Sequence, residues 1–176
     1  HYRFLNVLLD VAQYHCHIKE LYTISTTISS IPFDSSRRIF AVYNTQEFQD
    51  SLRPYELSDM TWQGPPALNS FLLFTAKMRR IPGVSLWPEI PFYVATVDDY
   101  RAQKPVLEFF KKRFNLNIGL ETLDESIKRQ SAEMQKLRKQ DPQADHYLRL
   151  IEKNVTLSQE DNINLVNKVS EFLFKK

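Results

Sequence analysis

Glycine is scarce in this 176-residue chain. There are 3, at Gly64, Gly83 and Gly119, where average usage would supply about twelve. No two lie close enough to build a phosphate-cradling loop, so neither a Walker A sequence nor a dinucleotide-binding fingerprint is present. Cysteine is scarcer still: Cys16 stands alone, which excludes a disulfide within the chain and points to a reducing, cytoplasmic compartment. No apolar run approaches the ~20 residues that a membrane-spanning helix needs, and no signal-peptide pattern opens the sequence, so no membrane partner is expected. Charge of one sign is lacking too. The 23 Lys and Arg against 21 Asp and Glu leave a net +2, too little for a nucleic-acid footprint. The sequence opens on His1-Tyr2 rather than Met, which leads us to expect part of a longer protein.

What is present is an alternation of helix and strand patterns, followed by helices only. Phe4, Leu5, Leu8, Leu9 and Ala12 recur at helical spacing between Tyr2 and His15. Leu21 to Ser25 reads as a buried strand, residues 26 to 36 as a loop, and Arg38 to Tyr43 as a second strand. Asn44 or Thr45 caps a helix that stops at Arg53, because Pro54 pushes the residue before it out of the helical region. After a turn at Trp62-Gln63-Gly64-Pro65-Pro66, Ala67 to Arg80 is apolar around most of its circumference and is expected to be buried on more than one side. Val84 to Trp87 and Phe92 to Thr96 are read as further strands. Asp98 is the expected cap of a helix reaching Asn115, with Pro105 inside it. Three helices follow: Thr122 to Gln140, one opening at Pro142, and one opening at Ser158. The expected organisation is an α/β core over residues 1–118 and a tail of three helices over 119–176.

Candidate chemistry is thin. His15-Cys16-His17 is no chelate, since helical neighbours one and two apart do not share a face and no zinc-type spacing accompanies them. No serine sits in a G-x-S-x-G elbow. Asp98-Asp99 reads as a helix start, and Lys111-Lys112-Arg113 as cations offsetting a helix dipole. No catalytic residue, metal or cofactor is assigned. The segment Ser85-Leu86-Trp87-Pro88-Glu89-Ile90-Pro91-Phe92-Tyr93 is the exception. It is expected to leave the carboxyl end of a core strand, where open α/β sheets place their crevices. It sets a carboxylate beside aromatics and stiffening prolines, with Ile90-Pro91 a candidate cis bond. Trp87, Glu89, Phe92 and Tyr93, joined by Trp62, are the candidate binding residues. The alternative is a stiff connection that packs its aromatics into the core.

In sequence these segments resemble the PAC-two family of proteasome assembly chaperones. Four stretches in matching order carry the likeness. They are Ile18-Lys19-Glu20-Leu21-Tyr22-Thr23-Ile24, Arg37-Arg38-Ile39-Phe40-Ala41-Val42, the run from Gly64 to Leu73, and the run from Ile81 to Tyr93. Ala67 and Ser70 stand where relatives often have glycine. The resemblance implies a three-layer α/β/α sandwich like that of nucleoside phosphorylases. Relatives carry further residues ahead of the first helix, so the sandwich would lack its N-terminal strands here and end in a helical tail. It also implies a non-enzymatic, homo-oligomeric interaction protein with proteasome-type subunits as partners. Some members use a C-terminal hydrophobic-tyrosine-any motif, which the ending Phe172-Leu173-Phe174-Lys175-Lys176 does not match. The competing expectation is a small-molecule-binding, hydrolase-like or ligase-like enzyme with its crevice near Glu89.

Overall fold

The computed structural model describes residues 2–61 and 67–174; Trp62 and the turn expected around it lie outside them. In chain order the elements are α1 (Tyr2–Asp10), β1 (Leu21–Ile24), β2 (Thr27–Ser29), β3 (Ile39–Tyr43), α2 (Gln46–Leu52), β4 (Ser58–Asp59), α3 (Leu68–Met78), β5 (Gly83–Pro91), α4 (Tyr100–Phe114), α5 (Glu121–Gln140), α6 (Pro142–Glu152) and α7 (Gln159–Phe174). The class is α/β with C-terminal helices, as expected. By compactness the residues group into one unit of His1–Thr26 with Arg38–Pro88, and another of Thr27–Arg37 with Glu89–Lys176. Helix α4 therefore groups with the tail helices, whereas the sequence suggested a division near residue 118.

The sheet is mixed, in the order β1-β5-β3-β4, with β2 also paired to β5. β1 runs parallel to β5, Leu21 opposite Gly83 and Ile24 opposite Leu86. β3 runs antiparallel to β5, Tyr43 opposite Val84 and Ile39 opposite Pro88. β5 is buried along almost its whole length, as a strand with neighbours on both sides should be. It is longer than its sequence suggests, continuing through Pro88 to Pro91, because β2 supplies a parallel partner from Thr27 opposite Glu89 to Ser29 opposite Pro91. Pro88 is tolerated where the β3 ladder ends. Residues 26 to 36 thus hold a short strand as well as a loop. The strand expected at Phe92 to Thr96, beyond a Pro-rich turn, is instead a 3-10 turn, Phe92–Val94, directly after β5. Among the described residues no peptide bond is cis, which makes Ile90–Pro91 trans.

In the first unit, Asn44 ties three segments together. Its Nδ2 donates to Ile81 O at 2.9 Å and Leu73 O at 3.3 Å, while its Oδ1 accepts from Gly83 N at 2.8 Å. That commitment leaves the capping of α2 to Thr45, whose hydroxyl accepts from Phe48 N at 3.2 Å. Gly83 lets β1 and α3 approach: a Cβ there would stand 3.0 Å from both Leu21 O and Leu73 Cδ2. Leu9, Ala76 and Ile81 form a small apolar cluster under α1 and α3.

In the second unit the cap of α4 is Asp99, not Asp98. One Asp99 oxygen accepts from Arg101 N and Ala102 N, and the other accepts from Arg37 Nε at 2.9 Å. Asp98 is exposed and has no such anchor. The Arg37 guanidinium also donates to Phe33 O, Ser35 O and Pro32 O, so one buried cation pins the whole 32–35 turn. Helices α5, α6 and α7 bury Met134, Leu137, Leu148, Ile151, Leu165 and Val169 against Phe33, Tyr93 and Val94. Asp141 caps α6 with Pro142 at its first position, as the sequence predicts.

Candidate functional site

Helix α1 has more apolar surface than one packed face consumes. Leu5 and Leu9 are buried, while Phe4 and Leu8, spaced i, i+4, are exposed, as is Val11 in the turn of helix that follows. Its polar side is taken up by Arg79, which donates to Asp10 Oδ1 at 2.7 Å, to Asn6 Oδ1 at 2.7 Å and to Gln13 Oε1 at 3.2 Å. Helix α3 shows the same excess. Ala76 is buried with Leu72 packed beside it, yet Phe71, Phe74 and Met78 are 49%, 59% and 69% exposed, and Leu68 is exposed as well. This corrects the expectation that α3 is buried on more than one side. Its packing partners occupy one side, and among the described residues none covers the i, i+3, i+7 stripe of Phe71, Phe74 and Met78. Monomeric soluble proteins rarely leave a large contiguous apolar patch in water. The signal is legible in the sequence as an all-round apolar helix, a pattern that core burial also produces.

The segment singled out from the sequence is distributed differently from a loop crevice. Trp87 lies in β5 opposite Phe40, half-buried, with an indole Nε1 that has no hydrogen-bond partner among the described residues. Glu89 is 3% exposed and pairs through its backbone with Thr27. Phe92 and Tyr93 pack edge to face, ring centres 5.2 Å apart. Tyr93 is fully buried and donates its hydroxyl to Ile31 O at 2.9 Å. Burial pushes that phenol far above its ordinary pKa, so it remains a neutral donor. Trp62 is outside the described residues.

Tyr93 lines a cavity of about 370 Å³ in the second unit, with Phe33, Met134 and Leu148 as apolar neighbours. Arg138 spans its rim, donating from Nε to Asp145 Oδ1 at 2.6 Å and from the guanidinium end to Glu152. Hydrogen bonding to Arg138 holds the Asp145 carboxyl below its usual range. Glu89 is not among the described residues lining this cavity. The arrangement offers an apolar floor and an ion-paired rim, which suits reversible binding. Phe33, Met134 and Leu148 were missed as lining residues because each comes from a different element and none carries reactive chemistry.

Residues 1–138 match the PAC2 family. A comparison with curated proteins gives no match. Among solved structures, a PAC2 family protein from Streptomyces avermitilis superposes with a TM-score of 0.65 at 20% identity, covering 73% of this chain and 54% of that one. A proteasome-assembly chaperone homologue from Mycobacterium tuberculosis gives 0.62 at 15%, covering 98% and 61%. An archaeal proteasome activator from Pyrococcus furiosus gives 0.61 at 21%, covering 78% and 57%. The chain thus spans little more than half the length of these relatives. Their likeness identifies the fold, an α/β sandwich with C-terminal helices.

Proposed function

The chain belongs to the PAC2 family, and from that premise we propose that it is a non-enzymatic protein-interaction module of the assembly-chaperone kind. The observation that carries the proposal is the exposed apolar surface of α1 and α3, with Phe71, Phe74 and Met78 standing in water. A helix face of this kind is suited to an apolar groove or helix of a partner, with aromatic anchors supplying most of the contact energy. Proteasome-type subunits are the proposed partners, because similar structures include a proteasome-assembly chaperone homologue and a proteasome activator. Self-association into a homo-oligomer and a cytoplasmic location belong to the same proposal. No helix among the described residues is long and apolar enough to cross a membrane.

From the crevice expected between Trp87 and Tyr93, the proposal retains the cavity beside Tyr93, whose buried ring and hydroxyl bond to Ile31 O hold that wall in place. An enzymatic alternative centred on Glu89 would need that carboxylate to open onto such a cavity. The test is affinity capture from host lysate with the full-length protein. Proteasome α-type subunits in stoichiometric amounts support the proposal. Recovery of the protein alone, or with a bound small molecule, sinks it and reopens the enzymatic alternative.

A further inference from the structure

The basic run Lys111-Lys112-Arg113 falls in the last turn of α4, and helix geometry spreads its three cations around the axis. Leu107, Phe110 and Phe114, spaced i, i+3, i+7, share one face. Lys111 borders that face on one side and Arg113 on the other, while Lys112 lies roughly opposite it at about 100° per residue. The inward row of α4 is a different one, Ala102, Val106 and Phe109. On the outer row Leu107 is 37% exposed and Phe114 46%, and Leu116 just past the cap is exposed too. The half-buried ring of Phe110 stacks on that of Phe114, centres 6.0 Å apart and 7° from parallel, and the Arg113 guanidinium lies 6.0 Å from the Phe114 ring centre. Charge here is of one sign. No acidic residue occurs between Glu108 and Glu121, Glu108 and Asp124 are both engaged by Lys104, and Lys111 and Lys112 have no ion pair among the described residues. Offsetting the helix dipole accounts for cations in a last turn, but not for an exposed apolar row between two of them.

We infer that this face of α4 docks a short acidic segment of a partner protein that carries apolar or aromatic anchors. The row of Leu107, Phe110 and Phe114 supplies the apolar contact, and the cations on its two borders select carboxylates by charge complementarity. Exposed Lys111 is open to such a carboxylate. From Leu107 to Phe114 the row runs about 10 Å at 1.5 Å per residue, which matches two turns of a helix or three extended residues. Three cations are fewer than the about four to eight that mark binding to an anionic membrane, and they make no nucleic-acid footprint in a chain of net charge +2. A peptide is therefore favoured over both. The face belongs to the second unit, and the inference does not depend on the apolar surfaces of α1 and α3.

Amide NMR of the full chain, titrated with the peptide acetyl-Glu-Asp-Phe-Asp-Glu-Leu-Phe-Asp-amide, tests it. We expect saturable shifts centred on Leu107, Phe110, Lys111 and Phe114. The same peptide with Gln and Asn for its carboxylates should produce none, and neither should one with Ser for its apolar residues. Lys111→Glu should weaken binding about tenfold or more, the order expected when a charge-assisted contact is lost. Lys112→Glu makes the same change of charge on the far side of the helix and should weaken it only about threefold or less, since exposed charges are screened. Both lysines are exposed, so both variants should unfold where the parent does. Absence of saturable shifts, equal binding of either control peptide, or equal weakening by the two lysine variants would overturn the inference. Tighter binding of phosphatidylserine vesicles or of a ten-nucleotide oligouridylate than of the peptide would overturn it as well.

Discussion

Replacing Asn44 with alanine should be among the most damaging single changes in the first unit, although Asn44 touches no proposed partner. The substitution removes three hydrogen bonds, those to Ile81 O, Leu73 O and Gly83 N. Leu73 lies inside α3, so its carbonyl keeps a helical partner. Ile81 O and Gly83 N lose theirs in a buried place. Each stranded buried polar group costs about 1–3 kcal/mol, which puts the loss at about 2–6 kcal/mol. Against a total stability of about 5–15 kcal/mol, that is a large share. At about 2–4 °C per kcal/mol for a chain of this size, a loss near the middle of the range lowers the melting temperature by roughly 8–16 °C. Urea denaturation followed by circular dichroism, with thermal melts alongside, measures it. A loss under about 1 kcal/mol would refute the view that Asn44 is the polar tie between β3, the end of α3 and the start of β5.

Arg37→Met should destabilise the second unit by about 3–5 kcal/mol, because it strands the Asp99 carboxylate in a pair whose side chains are 0% and 3% exposed; urea unfolding of the variant checks this. Tyr93→Phe removes the donor to Ile31 O and should cost about 1–3 kcal/mol, measured in the same way. Acid should loosen the junction of α6 and α7. The Asp141 carboxyl is held below its ordinary 3.8 by its hydrogen bond from Lys168 and then by the Ala144 N–H. Since the folded pKa is the lower one, this stabilisation is complete above the unfolded value and is lost as pH falls through the folded one. Urea midpoints taken from pH 5 down to pH ~2 should therefore fall less steeply for Asp141→Asn than for the parent; parallel curves would contradict the assignment.

Much of the local structure was legible because its causes are local. The Asp141-Pro142 pair and the spacing of Leu5 and Leu9 each act within a turn or two of helix. Pro54 is a correction: α2 ends at Leu52, but Arg53 keeps helical angles (φ −50°, ψ −38°) and a 3-10 turn, Arg53–Tyr55, runs through the proline, which takes an early helical position there and needs no N–H donor. The turn at residues 32–35 was not legible. It is held by Arg37 bonding to Asp99, which lies 62 positions away, and nothing in the Ser- and Pro-rich composition announces that partner. The length of β5 was hidden for the same reason. Pro88 and Pro91 look like a turn until β2 is known to pair alongside. At the candidate site, the aromatic character of Phe92 and Tyr93 was visible, but a sequence does not say whether an aromatic fills a core or faces solvent. Helix α3 posed the converse problem. Its apolar residues surround the helix in the sequence, and only tertiary packing separates buried Ala76 from exposed Phe71, Phe74 and Met78.

The central claim is that those exposed side chains engage a partner protein, and the most direct measurement is the binding of purified proteasome α-type subunits to the full-length protein and to its Phe71→Asp/Phe74→Asp variant. Both side chains are about half or more in water, so the variant should unfold at the same temperature as the parent. The account predicts saturable binding by the parent and at least about a hundredfold weaker binding by the variant, as expected when two aromatic anchors of about 1.5 kcal/mol or more each are lost. Equal binding by both proteins, or none by the parent, would contradict it.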